Sequence, residues 1–594
     1  MEIIPGNVAP AGGRKLGQPF GARSVIPYSL LLAAGIVAAA LLFLLPHAAE
    51  FPMDDAYIHL VYARNLAEHG SLDFNFPGER GVGSTSLLWV LLLAAGLKVG
   101  IPMAVLAKAL GIASLIALSL GVQTLLRSIW GPLPAFLAAA LVGISGNMLW
   151  FALSGMETVL FLALGIAVLI AYRSGRAFWV GLALAALILT RPEGIALLAA
   201  IWVVDVLHHR RVTRGLLMLT VLAVGLSAPW FVYLYLRSGH FISTSAIGKH
   251  LSTSIAIDHI LRYVRIPESL AGIPGLLYIL MWIGFLGLHV LGGVALPPPL
   301  LTVETPSLGT YGISYWSVFA WVLAAGLILV SARQMLSPGV LQTWFANDSR
   351  RALLLMLIWV VLHNLAYALY LPIPGTASRY GAINHVVLWL SLSYGLLVLG
   401  RRRPRLFSLA IPTILLAVVN TLYWNSVYDA NLEHMTRVRI RAADFVRVSI
   451  PADENCAAFD VGAMRYFGGH PVIDLGGLID PNAAEVFEAG TTDQYLLSNK
   501  VTCLILPGRS GEAGDGLFDF GDILGISTSP VLHITQLETF AIDRRTWLRG
   551  YLATGNYQAS VVVYDVRPVP VGPAGLRVLA PSPHQAALVP SCGR

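Results

Sequence analysis

Apolar runs of about the length that crosses a bilayer recur along the chain as far as Trp424. A membrane helix needs about 17 to 25 mostly apolar residues, and short polar segments with charges, glycine and proline separate the runs. The pattern predicts a polytopic α-helical membrane domain with about 11 transmembrane helices. The predicted spans are 25–46, 102–126, 132–151, 156–172, 178–190, 195–208, 215–236, 314–331, 352–371, 383–400 and 406–424.

Basic residues in the short loops indicate the direction of these spans, because loops rich in lysine and arginine stay in the cytoplasm. The N-terminus is predicted to be cytoplasmic, and the first span is interpreted as a retained helix because it is longer than the apolar core of a signal peptide. Residues 47–101, 237–313 and 372–382 and the C-terminal tail are then predicted to lie outside. The basic loops are those at Arg127, Arg173 and Arg176, 208–214, Arg333 with Arg350 and Arg351, and 401–405.

Two apolar stretches do not fit as simple spans, and one polar loop lies between two unusually short spans. Residues 84–98 are short and are predicted to form a helix in the outer interface. Residues 272–293 are predicted to be re-entrant or interfacial, because counting them as a span breaks the alternation of the loops.

Between the short segments 178–190 and 195–208 lies Thr190-Arg-Pro-Glu-Gly194. Charges at membrane depth are tolerated where they line a cavity, so a cavity wall is favoured over a plain outer loop.

After Trp424 the composition becomes that of a water-soluble α/β protein, which divides the chain into a membrane domain (1–424) and a tail domain (425–594). Ala457–Asp460, Val472–Asp474 and Thr502–Leu506 are predicted strands, and Arg437–Val448 and Asn482–Ala489 are predicted helices. Cys456 and Cys503 lie in apolar, strand-like runs. They are expected either to pair, if the tail is extracytoplasmic, or to be two buried free thiols.

Composition supports the membrane interpretation and argues against nucleic acid as a partner. Of 594 residues, 56% are hydrophobic and only 12% are charged, with a mean hydropathy of +0.71, whereas soluble domains carry about 25% charged residues. The formal net charge of +7 comes from basic residues beside the apolar runs. That placement is typical of membrane topology signals.

Two adjacent carboxylates, Asp54 and Asp55, follow the first predicted span. Their mutual repulsion and the nearby low dielectric favour a raised pKa for at least one of them. A carboxylate at that depth is level with a lipid head group and is suited to general-base work or to binding a divalent cation. His59, one turn later, is a candidate ligand for acceptor or metal. The alternatives are a helix cap for the acidic pair and a solvated interface histidine for His59.

A second polar segment, Gly81-Val-Gly83-Ser-Thr85-Ser86, opens the apolar stretch 84–98. Backbone N–H groups at a helix start attract phosphate. Serine and threonine are also ordinary helix caps, so this segment alone does not identify a phosphate site.

Eight short motifs are spread over both halves of the chain. They are Asp54-Asp-Ala-Tyr-Ile, Tyr62-Ala-Arg-Asn-Leu-Ala, Phe74-Asn-Phe-Pro-Gly-Glu, Gly83-Ser-Thr-Ser-Leu-Leu-Trp, Ser154-Gly-Met-Glu-Thr, Leu189-Thr-Arg-Pro-Glu-Gly, Asp460-Val-Gly-Ala-Met-Arg-Tyr-Phe and Val472-Ile-Asp-Leu-Gly-Gly-Leu-Ile-Asp-Pro. In these motifs the chain resembles bacterial GT-C glycosyltransferases, and the terminal arabinofuranosyltransferases of mycobacterial cell-wall synthesis in particular.

The resemblance implies a catalytic first outer loop (47–101) in which Asp54 or Asp55 is the base or orients the acceptor. A departing carrier phosphate needs cations that bind more strongly as its charge develops. Arg379 is the first candidate and Lys249 the second, with snorkelling to the interface as the alternative for each. The other residues predicted to line the cavity or meet the donor phosphate are Glu157, Arg191, Glu193, Tyr380, Arg64, Thr85 and Ser86.

The predicted function is transfer of a sugar, with arabinofuranose as the first candidate, from a polyprenyl-phosphate donor to a cell-envelope glycan. The predicted place is the outer face of a bacterial plasma membrane, and no cofactor is assigned beyond a divalent cation as an option. The alternatives are a lipid-linked-sugar flippase, which would show repeats and midplane charges, and a non-catalytic protein that binds glycan.

Overall fold

The structure, a computed structural model, describes residues 26–45, 50–251, 274–287, 301–305, 309–313, 315–341, 343–345, 347–508, 520–554 and 558–569. Helices make up most of the chain ahead of a C-terminal sheet. They are α1 (Ile26–Leu44), α2 (Asp54–His69), α3 (Leu87–Lys98), α4 (Met103–Trp130), α5 (Pro132–Ile144), α6 (Gly146–Leu153), α7 (Thr158–Arg173), α8 (Ala177–Thr190), α9 (Ile195–His209), α10 (Arg214–Ser238), α11 (Pro274–Leu286), α12 (Tyr315–Met335), α13 (Asp348–Tyr370), α14 (Ala382–Arg402), α15 (Ala410–His434) and α16 (Arg441–Ser449).

The chain is a multi-pass membrane protein by the length and composition of these helices. Within the described residues, seven are long and apolar enough to cross a membrane, and an eighth span results if α5 and α6, bent by 54° at their junction, are counted as one. Every one of the eleven predicted spans is helical. The three remaining predicted spans correspond to α7 and α8, at 16 and 14 residues, and to the stretch Phe319–Met335 of α12. All three are shorter than a straight crossing of about 20 residues.

The two stretches predicted to lie in or at the interface also contain helices. Residues 84–98 hold α3, and α11 occupies part of 272–293, the rest of which lies outside the described residues. Trp282 of α11 stacks on Tyr367 of α13 with ring centroids 5.5 Å apart. A two-stranded antiparallel hairpin, β1 (Leu301–Thr305) and β2 (Gly309–Ile313), was not predicted.

The C-terminal part is a five-stranded mixed sheet in the order β4-β3-β5-β7-β6. Its strands are β3 (Asn455–Ala458), β4 (Val472–Asp474), β5 (Val501–Pro507), β6 (Leu532–Ala541) and β7 (Ser560–Pro568). The intervening helices are α17 (Gly462–Gly468), α18 (Pro481–Ala489), α19 (Thr492–Ser498) and α20 (Arg544–Thr554). The predicted fold class, a helical membrane protein with a C-terminal α/β domain, is confirmed, although the sequence did not predict β6 and β7.

A disulfide joins Cys456 of β3 to Cys503 of β5, with Cα atoms 4.4 Å apart in parallel register. This decides between the two expectations for these cysteines. The sheet is not an appended unit, because one buried apolar cluster runs from Leu32 of α1 to Val563 of β7. The predicted boundary at residue 424 falls inside α15, which is a continuous helix.

Candidate active site

A cavity of about 330 Å³ lies where α2 meets the end of α13 and the turn between α8 and α9. Its wall also includes residues 242–249, which follow α10, and the Thr376–Gly381 turn that precedes α14. Many side chains that the sequence singled out line this cavity together, although they are as much as 325 positions apart in the chain. They are Asp55, His59, Thr85, Glu157, Arg191, Glu193, Lys249, Arg379 and Tyr380.

The Asp55 carboxylate is the centre of the cationic side of the cavity. Its Oδ2 accepts hydrogen bonds from Lys249 Nζ at 2.8 Å and from Arg379 Nη2. Burial alone would raise the pKa of Asp55, but the Lys249 and Arg379 charges outweigh burial and hold this pKa well below its usual range. Asp55 is therefore an anion between two cations, and the three groups together carry one net positive charge.

Strained backbone holds Arg379 at this position. Ala377 and Ser378, just before it, have φ values of 56° and 63°, a left-handed conformation that costs non-glycine residues energy and is found mainly at functional sites. His363 of α13 lies against the same turn, with Nε2 at 2.8 Å from the Tyr380 carbonyl oxygen. Arg379 itself is only 5% exposed, so the snorkelling alternative does not hold for it.

Lys249 is held by contacts between its segment and the loop after α2. Val82 N–H donates to Thr244 Oγ1 at 3.0 Å, and Thr244 N–H donates to the Val82 carbonyl oxygen at 3.0 Å. Further along the same segment, Gly248 packs directly on the backbone of Gly477, between β4 and α18. The C-terminal part therefore supports the segment that carries the cavity's lysine.

We expect Gly248→Ala to destabilise the protein, because an added Cβ would lie within van der Waals distance of Gly477 backbone atoms that no rotamer change can move. Gly225 in α10 is the matched control, because nothing lies within 4 Å of an added Cβ there. An open helical glycine replaced by alanine gains about 1 kcal/mol. Thermal unfolding in detergent should show a lower midpoint for Gly248→Ala than for Gly225→Ala. Equal midpoints would contradict this packing.

Arg191 organises the other side of the cavity. Its Nε donates to Glu193 Oε1 at 2.6 Å, its Nη1 lies 3.4 Å from Glu157 Oε1, and its Nη2 donates to the Tyr367 hydroxyl at 2.9 Å. Its guanidinium also lies 5.4 Å from the centre of the Tyr380 ring. Two carboxylates against one guanidinium give this side one net negative charge, opposite in sign to the Asp55 side.

His59 is buried between two polar partners, not solvated as the alternative interpretation had it. Its Nδ1 lies 3.0 Å from Ser84 Oγ, and its Nε2 lies 3.5 Å from Glu157 Oε2. Burial lowers its pKa, although the Glu157 carboxylate opposes this. Across the described part of the chain, no group of three or more His, Cys, Asp or Glu side chains has the arrangement of a metal site.

Asp54 points away from the cavity and into the C-terminal part. Its two carboxylate oxygens accept the backbone N–H groups of Gly462 and Ala463 at 2.8 Å each, at the start of α17. Burial first, and the neighbouring Asp460 carboxylate second, raise the pKa of Asp54 to about 7. The helix-cap alternative fails, because α2 is preceded by Met53 and no side chain caps it.

We expect Asp54→Asn to become more stable relative to wild type as the pH rises. The folded-state pKa lies above the ordinary value of 3.8, so the contribution of Asp54 to stability is complete below about pH 4 and is lost as the pH passes about 7. The shift corresponds to a loss on the order of a few kcal/mol. Unfolding midpoints at several pH values between 4 and 8 test this, with the exposed Asp453→Asn as control. Parallel curves for all three proteins would contradict it.

Two predicted cavity residues, Arg64 and Ser86, lie beside the cavity. Arg64 is on the face of α2 that meets α17, and its guanidinium lies 5.3 Å from the centre of the Tyr466 ring. Ser86 immediately precedes α3 and is fully buried. Arg64 lies away from the cavity because it is on a different face of α2 from Asp55 and His59, whereas Ser86 lies outside the helix and is enclosed by packing.

The sequence missed Tyr367 and the Asp474 turn. The Tyr367 hydroxyl donates to Glu193 Oε1 at 2.5 Å. Asp474 accepts the backbone N–H groups of Gly476, Ile479 and Asp480 at 2.6 to 3.0 Å, which shapes the turn that packs on Gly81, Gly83 and Gly248. Burial raises the pKa of Asp474 to about 6, although these N–H donors oppose the shift. The motif around Asp474 was visible in the sequence, whereas Tyr367 lies in an apolar helix without a local signal.

Known proteins match parts of this chain or its general architecture. A family model described as a domain of unknown function (DUF8728) matches residues 426–564. No curated protein sequence matches significantly. Among solved structures, ArnT from Cupriavidus metallidurans bound to undecaprenyl phosphate is similar at 14% identity and a TM-score of 0.49, over 91% of this chain and 98% of that one. The oligosaccharyltransferase AglB from Archaeoglobus fulgidus, with an inhibitory peptide and a dolichol-phosphate, is similar at 12% identity and a TM-score of 0.47, over 80% of this chain and 69% of that one. At such identities the activity has to be argued from the site itself.

Proposed function

We propose that this chain is a membrane glycosyltransferase of the GT-C type, which moves a sugar from a polyprenyl-phosphate donor to a glycan acceptor. The observation that carries the proposal is the Asp55 carboxylate held between Lys249 and Arg379 in a cavity. A base and two cations side by side are what the transfer requires. The base takes the proton of the acceptor hydroxyl, and the cations bind the phosphate that leaves.

The charges suit the donor. A sugar linked to a prenyl phosphate is a phosphodiester with one negative charge, and its phosphate gains a second charge when the bond to the sugar breaks. Lys249 and Arg379 carry two positive charges, of which Asp55 balances one. Because cation–phosphate attraction grows as the second charge develops, these side chains stabilise the transition state more than the bound donor.

Donor binding also activates Asp55 in this scheme. While Lys249 and Arg379 both contact Asp55, its carboxylate is a weak base. A phosphate that shares those cations reduces their hold on Asp55 and raises its basicity. The acceptor hydroxyl then gives its proton to Asp55, its oxygen bonds to the anomeric carbon, and the bond from that carbon to the phosphate oxygen breaks. Polyprenyl phosphate leaves with its second negative charge, and the proton of the acceptor hydroxyl stays on Asp55.

The acidic side of the cavity is assigned to sugar recognition. Glu193 and Tyr367 already form a hydrogen-bonded set with Arg191, and carboxylate and phenol oxygens are good partners for sugar hydroxyls. Asp54, which binds α17 and not the cavity, is assigned to positioning. The first outer loop is accordingly proposed as the catalytic segment, with Asp55 as the base.

Two further points belong to the proposal. The motifs shared with terminal arabinofuranosyltransferases make arabinofuranose the first donor to test and a bacterial cell-envelope glycan the first acceptor. A disulfide in the sheet is consistent with an extracytoplasmic C-terminal part, because disulfides persist in oxidising compartments. The cavity beside it would then open at the outer face of the plasma membrane.

The test is transfer from radiolabelled prenyl-phosphate sugars, arabinofuranose first, to cell-envelope glycan in membranes that contain or lack the protein. Label in the glycan that depends on the protein supports the proposal. If no donor is used but labelled lipid crosses the bilayer of proteoliposomes, the protein is a flippase and the proposal is wrong.

A further inference from the structure

A second cavity, of about 210 Å³, lies between the ends of α4, α12, α13 and α14. It includes Arg350 and Leu353 near the start of α13, whereas the candidate active site includes Tyr367 and Tyr370 near the end of that helix. The lining residues on α13 run from Arg350 to Leu357 in the second cavity and from Ala366 to Tyr370 in the first. At about 1.5 Å per residue, the midpoints of these two stretches lie about 20 Å apart along the helix, in a hydrocarbon core about 30 Å thick. They therefore lie towards opposite faces of the membrane.

The second cavity combines an apolar wall with two arginines. Trp130 stacks on Tyr394 with ring centroids 5.3 Å apart. Arg350, which is half-buried, and Arg401, whose side chain is exposed at the mouth, line the cavity, and neither has an acidic partner among the residues that the structure describes. The adjacent Arg351, by contrast, pairs with Asp348. Two arginines without counter-ions in one cavity create a site for an anion.

Trp344 gives a second, independent indication of a ligand. It lines the cavity and is only 9% exposed. Its buried Nε1–H has no hydrogen-bond partner in the described part of the chain. A buried indole N–H normally finds an acceptor, because leaving it without one is unfavourable. The atom is closed off from the cavity in this structure, so a ligand oxygen supplies that acceptor once the indole ring turns towards the cavity.

We propose that this cavity binds the phosphate head group of an anionic membrane lipid, with an acyl chain against the apolar wall, in the leaflet opposite the candidate active site. Arg350 and Arg401 contact the phosphate, and Trp344 donates to one of its oxygens. A lipid fits better than a soluble anion because the wall between the arginines is apolar and lies between membrane helices. This proposal does not depend on the proposed transferase function.

The test is lipid binding by the purified full chain in neutral detergent, measured by native mass spectrometry with dioleoyl phosphatidylglycerol and dioleoyl phosphatidylcholine. We expect wild type to retain phosphatidylglycerol in preference, and Arg350→Gln/Arg401→Gln to bind it about tenfold more weakly. Arg403→Gln/Arg405→Gln, which removes the same charge at exposed positions outside the cavity, should bind like wild type. Trp344→Phe keeps the ring and loses the donor, and should weaken binding with little effect on folding.

Three results would overturn the proposal. Equal loss of phosphatidylglycerol in both double variants would assign binding to diffuse surface charge. No difference between phosphatidylglycerol and phosphatidylcholine in wild type would remove the anionic head group as the determinant. Displacement of the lipid by excess inorganic phosphate, with the acyl chain adding no affinity, would make the ligand a free anion.

Discussion

Asp55→Asn is expected to lower kcat for sugar transfer by about 10³-fold, within the usual range for loss of a general base. The substitution should also lower the KM for the donor. Asparagine cannot neutralise Lys249 and Arg379, both of which contact Asp55 in the cavity, so the donor phosphate no longer competes with a carboxylate for those cations. A fall in kcat with tighter donor binding is the signature of a lost base beside a phosphate site.

Steady-state transfer assays at matched expression test this expectation, with donor concentration varied. Asp54→Asn is the comparison variant, because it changes the neighbouring carboxylate that binds α17 instead of the cavity, and its kcat should fall less than that of Asp55→Asn. If Asp55→Asn transfers sugar as fast as wild type, Asp55 has no role in the mechanism. A fall in kcat with an equal rise in donor KM would indicate a distorted cavity instead of a missing base.

Arg379→Gln is expected to reduce kcat/KM for the donor by about 10²- to 10³-fold, the typical cost of removing one donor that stabilises developing charge. The loss of kcat/KM should be larger for Arg379→Gln than for Lys249→Gln. The Arg379 side chain is 5% exposed and the Lys249 side chain is 21% exposed, and water screens the charge of the more buried side chain less. Arg379→Lys should restore part of the activity, because it returns the charge without the planar fork.

The measurement is donor binding and transfer for Arg379→Gln, Arg379→Lys and Lys249→Gln, with the exposed Arg80→Gln as control. The same order of effects in equilibrium binding of polyprenyl phosphate, without its sugar, would locate the defect at the phosphate. Activity in Arg379→Gln close to that of Arg80→Gln would rule out this arginine as the phosphate ligand.

The sequence predicted the membrane helices well, because their signal is local. An apolar run identifies a helix whatever surrounds it, and all eleven runs are helical. It could not tell full crossings from shorter pieces such as α8, since packing and loops decide that. The strand β6 was missed because it is largely exposed at the sheet edge and lacks the apolar signature of a buried strand. The strand β7, by contrast, contains the buried run Val561–Val563, so its signal was present in the sequence.

The acidic pair shows the limit of sequence reasoning at the site. Asp54 and Asp55 are adjacent, and the resemblance did not choose between them. In a helix, consecutive side chains point about 100° apart, so one pair member had to face away from the cavity. Which one does so depends on α17, whose first residue follows Asp54 by 408 positions. Contacts at such separations, including that of Arg191 with Tyr367, leave no local trace in the sequence.

That separation also has a consequence for how the protein is made. At about 5 to 20 residues per second, synthesis of the 408 residues between Asp54 and Gly462 takes about 20 to 80 seconds. For that interval the newly inserted α2 exists without the backbone donors that receive Asp54, and the Gly81 segment exists without the Asp474 turn that packs on it. The segment that holds Asp54 and Gly81 is therefore among the first parts to leave the ribosome and among the last to reach its final structure, so we expect chaperones of the nascent chain to act on this segment.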